Sequence, residues 1–63
     1  MRVVVNGEPR DLPPGTTLAA VVPERVRGVA VALDGEVVPH TVWAETQLAD
    51  GQRVEILEAK AGG

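Results

Sequence analysis

Three turn signals, Asn6-Gly7, Asp34-Gly35 and Ala49-Asp50-Gly51, divide this 63-residue chain into short segments that must fold back beside one another. Asn-Gly and Asp-Gly supply the positive φ angles of tight hairpin turns. The run Met1 to Val5 places Met1, Val3 and Val5 on one face and Arg2 and Val4 on the other, the period of a half-buried strand. After Asn6-Gly7 a second strand near Pro9 to Leu12 returns, and Pro9 assigns it to an edge because proline has no N–H for a second ladder.

Pro13-Pro14-Gly15 then breaks the sheet, and Thr16 or Thr17 is placed to cap a helix carrying Leu18, Val21 and Val22 on one face. Pro23 disfavours helical geometry at Val22, so the helix ends there or kinks into a loose turn through Arg27. Val29 to Leu33 alternates valine and leucine against Ala30 and Ala32 and reads as a central strand. A short strand at Glu36 to Val38 stops at Pro39, and Thr41 is placed to cap one turn of helix around Trp43. The last strand, Gln52 to Glu58, turns Val54 and Ile56 inward and Glu55 and Leu57 outward. This order predicts one α+β domain, residues 1–58, with a mixed sheet of about five strands and one short helix across one face. Any parallel connection in it is right-handed.

A chain of this size buries only about 60% of the surface its unfolded form exposes. Substrate pockets occupy roughly 300 Å³ or more, space that so small a core rarely encloses. Side-chain chemistry is equally sparse: there is no Cys, Ser or Tyr, one His and one Lys. No second histidine exists to activate a threonine, and one histidine cannot build a zinc cluster. The expectation is a protein that is not an enzyme and binds neither metal nor cofactor. A net charge of −3 argues against partners held through phosphates, so nucleic acid is not expected. No apolar run approaches the roughly 18 residues of a membrane span, and the absence of cysteine fits a reducing compartment. A soluble, cytoplasmic protein without a membrane partner is the expectation.

Residues 59–63, Ala-Lys-Ala-Gly-Gly, follow the last strand and read as a flexible tail projecting into solvent. A terminal carboxylate on Gly63, preceded by Gly62, can thread a narrow channel in another protein because neither residue carries a Cβ. Fully extended, five residues reach about 16 to 18 Å. The bland alternative is a frayed terminus with an incidental Gly-Gly end.

Read as a whole, the chain resembles the ubiquitin-like sulfur carrier proteins of bacterial thiamine biosynthesis. The likeness rests on Val5-Asn6-Gly7-Glu8, Gly15-Thr16-Thr17-Leu18, the run from Gly28 to Pro39, Trp43-Ala44-Glu45-Thr46, the run from Leu48 to Glu55, and Gly62-Gly63. It departs from the family pattern at Asp34, where Asn is common, at His40, where Arg is common, and in a short Leu18 to Arg27 segment. The resemblance implies a β-grasp fold and a carrier role for Gly63. It further implies that an E1-like adenylyltransferase uses ATP to convert the Gly63 carboxylate to an acyl-adenylate, that a sulfur donor of the cysteine desulfurase type displaces AMP to leave a thiocarboxylate, and that thiazole synthase receives the sulfur. Because the chain has no Cys, the terminal carboxylate is the one plausible attachment point.

Other residues have two readings. Val4 and Leu57 lie on the sheet face away from the helix, beside Ala30 and Ala32, and form either ordinary exposed apolar surface or a docking patch. Lys60 either meets acidic groups in a partner's channel or is simply solvated. His40 reads as a surface loop residue and Trp43 as a lid over the core edge. A related carrier serving molybdopterin synthesis or tRNA thiolation, and a β-grasp binding or regulatory module, remain alternatives. Only the carriers require modification of Gly63.

Overall fold

The computed structural model describes residues 1–23 and 28–58. Five strands, β1 (Arg2–Val5), β2 (Glu8–Asp11), β3 (Val29–Leu33), β4 (Glu36–Val37) and β5 (Arg53–Glu58), form one sheet in the order β2-β1-β5-β3-β4. A single-turn helix, α1 (Leu18–Val21), and a 3₁₀ helix at His40–Glu45 complete the described elements. The sheet is mixed, with β1 parallel to β5 and the remaining pairs antiparallel.

The two hairpins follow directly from their turn residues. Asn6 and Gly7 have φ of 49° and 83°, and Asp34 and Gly35 have 49° and 87°. Two successive positive φ angles define the type I′ turn whose twist matches that of the flanking strands. They close β1 on β2 with Val5 opposite Glu8, and β3 on β4 with Leu33 opposite Glu36. Pro9 lies on edge strand β2 as its missing N–H requires.

Strand β3 is interior, but the middle position belongs to β5, the last strand in the chain. Local alternation marks a strand as half-buried without saying how many strands flank it. Strand β5 is flanked on both sides, pairing five of its residues with β3 and lying parallel to β1.

Val3, Val5, Val31 and Val54 point to one side of the sheet and are buried there against Leu18, Val22, Trp43 and Leu48. The helix is shorter than its apolar spacing implies. Val22 is extended, with φ −91° and ψ 143°, as the proline after it demands; the proposed turn through Arg27 lies outside the described residues. Neither threonine caps α1 through its side chain. Thr17 occupies the N-cap position without such a bond, and the Thr16 hydroxyl instead donates to Pro13 O at 2.6 Å. The Leu18 N–H donates to Thr46 O at 2.8 Å, while Leu48 N–H donates to Thr16 O at 2.9 Å. A tertiary contact between two irregular segments therefore satisfies the N–H of Leu18 at the first helical position, which a cap side chain, reaching the second or third, does not serve.

Thr41 is likewise not a cap, because the 3₁₀ helix begins one residue after Pro39 and takes Thr41 into its first turn. Trp43 is a core residue rather than a lid, only 4% exposed, and its indole N–H donates to Val38 O at 2.8 Å. That bond satisfies the one polar atom of the largest side chain in the core. His40 is exposed and meets the Trp43 ring edge-on at 5.9 Å between centroids.

Candidate functional site

Strand β5 ends at Glu58, so the segment of chemical interest leaves from the middle strand of the sheet. Lys60, Gly62 and Gly63 lie outside the described residues. What the structure defines is the base from which residues 59–63 depart and the outward sheet face beside it.

Three turn side chains pin the strands, one of them near that base and two at the far end of the sheet. The Asn6 carboxamide accepts from Ile56 N–H at 2.7 Å and donates to Ile56 O at 3.3 Å. At the opposite end of β5, the Asp34 carboxylate accepts from Arg53 N–H at 2.9 Å and from Gln52 Nε2 at 3.2 Å. Asp50 accepts from Arg2 N–H at 2.7 Å, which holds the start of β1. Asn and Asp serve both needs, since they tolerate tight turns and place a polar group within reach of neighbouring backbone. Asp34 accepts with both carboxylate oxygens. Gln52 Oε1 accepts from Ala49 N–H at 2.7 Å, so its amide must donate toward residue 34, and a carboxylate offers an acceptor there.

On the outward face the register places Leu57 opposite Ala30 and Val37 opposite Ala32. Leu57 is 69% exposed and Val37 76% exposed. Their neighbours are small and nearly flat, so Leu57 stands proud of a shallow apolar strip that ends at the β4 edge. Val4 shares this face without joining the strip. Its neighbours are Pro9 on β2 and Arg53 on β5. Leu57 lies four residues beyond Arg53, about 13 Å along the strand at about 3.3 Å per residue. Thus the expected patch of Val4 and Leu57 beside Ala30 and Ala32 is divided: Ala30 and Ala32 accompany Leu57, and the charged residues Arg53 and Glu55 intervene. Val37 is an addition that its alternation within a two-residue strand did not reveal.

The remaining outward residues include Arg2 and Asp11, cross-strand partners with an Nε to Oδ1 distance of 3.0 Å. The hydrogen bond from Arg2, aided by its positive charge, lowers the Asp11 pKa, and the same bond raises that of Arg2. Both side chains are largely exposed, so water screens most of this attraction. Among the described residues, no three His, Cys, Asp or Glu side chains converge in a way that would hold a metal ion. None of the described helices is long and apolar enough to cross a membrane.

Residues 3–63 match the model of the ThiS family. The chain belongs to the ThiS family. Its fold is correspondingly similar to the crystal structure of the thiamine biosynthesis protein ThiS from Geobacter metallireducens, with a TM-score of 0.79, 29% identity and full coverage of both chains. This establishes the β-grasp architecture. The chain is also 35% identical over 66 aligned positions to a thiazole synthase of Paramagnetospirillum magneticum, covering all of this chain but only 20% of that protein. Membership of the ThiS family and the structural match together support a small sulfur carrier of thiamine biosynthesis.

Proposed function

We propose that this ThiS-family chain carries sulfur as a thiocarboxylate on Gly63 and acts as a co-substrate of other enzymes. The observation that carries the reading is the family match through Gly62-Gly63 in a chain with no cysteine. A carboxylate resists nucleophilic attack, so activation comes first. An E1-like adenylyltransferase joins the Gly63 carboxylate to the α-phosphate of ATP and releases pyrophosphate. The outer sulfur of a persulfide on a donor of the cysteine desulfurase type then attacks the acyl carbon and expels AMP, and attack of a thiol on the resulting acyl disulfide releases the thiocarboxylate and leaves a disulfide behind. The resulting thiocarboxylate is a nucleophile, and thiazole synthase is its acceptor.

The choice of thiazole synthase is supported by the relative in which a segment like this chain forms about a fifth of a longer protein bearing that name. Joining carrier and acceptor in one polypeptide raises the effective concentration of one for the other. The ATP site belongs to the adenylyltransferase, and the reaction belongs to a reducing cytoplasm. Leu57, with Ala30, Ala32 and Val37 beside it, is the docking surface for the partner; Lys60 enters the partner's channel with the glycines.

The test is ATP-dependent pyrophosphate release by the E1-like enzyme with wild-type carrier, with Gly62→Val and with a chain extended beyond Gly63. The described core lies between Val3 and Val54, so both variants are expected to keep the wild-type melting temperature and to lose adenylation. Wild-type rates in either variant would remove the channel-threading role of the glycines.

A further inference from the structure

We infer that Asn6 is a positioning residue whose carboxamide holds Ile56 on the β1 side of β5 and thereby fixes the end of the strand that leads into residues 59–63. This rests on the proposed carrier function, which makes the departure point of those residues matter.

Along the β1 side of β5, every second residue donates to a carbonyl. Val4 N–H meets Gln52 O at 3.0 Å, and Asn6 N–H meets Val54 O at 2.9 Å. The next donor in that series would be residue 8, meeting Ile56 O. Glu8 is unavailable, because Asn6-Gly7 turns the chain and Glu8 already pairs with Val5 in the returning strand β2. The Asn6 carboxamide replaces the missing peptide group, with Oδ1 accepting from Ile56 N–H and Nδ2 donating to Ile56 O. A primary amide is the side-chain group that offers both functions as a peptide does. Asn also tolerates the φ of 49° found here.

Strand β3 does not hold the same groups. Asp34 N–H donates to Arg53 O at 2.8 Å, so the alternation of an antiparallel ladder assigns bonding to Ala32 with Glu55 and Ala30 with Leu57. Ile56 therefore points its backbone groups at Asn6. Both bonds are solvent-exposed, so water competes for them and their effect is on local order more than on global stability. Ile56 stands three positions before residue 59. Releasing it moves the last tie on the β1 side back to Val54 and leaves the end of β5 held from the β3 side alone, so a partner that engages Gly63 must fix the position of that strand end itself.

Asn6→Gly keeps the positive φ and removes the carboxamide; Asn6→Asp keeps the acceptor and removes the donor. In native-state hydrogen exchange, the Ile56 amide is expected to exchange about tenfold faster in Asn6→Gly, with Asn6→Asp in between, while the Arg53 amide held by Asp34 is unchanged. With the E1-like enzyme, KM for the Asn6→Gly carrier is expected to rise about fivefold at unchanged kcat, the pattern of lost binding rather than lost chemistry. Unchanged exchange at Ile56 would overturn the latch, and faster exchange with an unchanged KM would overturn the positioning role. Failure of the wild type to be adenylated would instead overturn the proposed function, and exchange at Ile56 would still decide the latch.

Discussion

The two faces of the sheet are built from the same strands, yet they do different work. On the inward face Val3, Val5, Val31 and Val54 are buried against Leu18 and Trp43, and the only polar atom brought to that core by Trp43 has its acceptor in Val38. On the outward face, valine and leucine stand among Ala30, Ala32, Arg53 and Glu55, and nothing among the described residues covers Leu57 or Val37. Apolar burial of about 25 cal/mol per Å² is collected on the first face and left uncollected on the second. A domain this small has little stability to spare, so leaving large apolar side chains uncovered is informative about partners.

The strongest way to break this contrast is to truncate each face in turn. Leu18→Ala removes a fully buried side chain and is expected to cost about 2 to 5 kcal/mol, close to the whole stability of a small domain. Thermal or urea unfolding should show a collapsed transition; a midpoint near wild type would mean the core is not where the buried residues place it. Leu57→Asp should leave that midpoint almost unchanged and weaken binding to the E1-like enzyme about tenfold or more, about 1.4 kcal/mol. Unaltered affinity in a titration of the folded variant would show that this strip is not the dock. Val4→Asp serves as the sharpening control, since Val4 lies apart from the strip and should lose less affinity than Leu57→Asp.

Smaller effects belong to the turns and the surface. Asp34→Asn provides one carbonyl oxygen where two donors now converge, and the loss of one exposed hydrogen bond should cost about 1 kcal/mol in denaturant unfolding. Stabilisation by this change would show that the Gln52 contact has no value. The smallest effect is expected for Asp11→Asn. The Asp11 pKa is lowered in the folded state, so its contribution is present above the unfolded carboxylate pKa and is lost as pH falls through the folded value. Melting temperatures of wild type and Asp11→Asn should therefore converge in acid and differ slightly at neutral pH, with wild type the higher; a gap that widens in acid would contradict the pairing.

Much of this architecture is legible in the residues because the relevant physics is local. Positive φ at Asn6-Gly7 and Asp34-Gly35, the edge assignment of Pro9 and the inward set of Val3, Val5, Val31 and Val54 all follow from turn chemistry and a period of two. The features that are not legible arise from contacts distant in sequence. Strand β5 occupies the centre because it pairs with β1 and β3, a choice that no alternation within β5 encodes. The Thr17 with Gln47 bridge ties down the start of α1, where no side-chain cap forms. Alternation correctly turned Val4 and Leu57 outward, but their separation depends on the parallel register of Val4 with Arg53, which alternation leaves free. Asn6 announces a turn in the sequence; its second role at Ile56 appears only when β5 lies beside it.

The most direct measurement is the mass of the C-terminal peptide after the protein has been incubated with ATP, an E1-like adenylyltransferase and a sulfur donor. Replacement of one oxygen by one sulfur, located by fragmentation at Gly63 and absent when ATP is omitted, is the predicted result. An unmodified Gly63 under conditions where the adenylyltransferase modifies a known carrier, or sulfur found on any other residue, would contradict it.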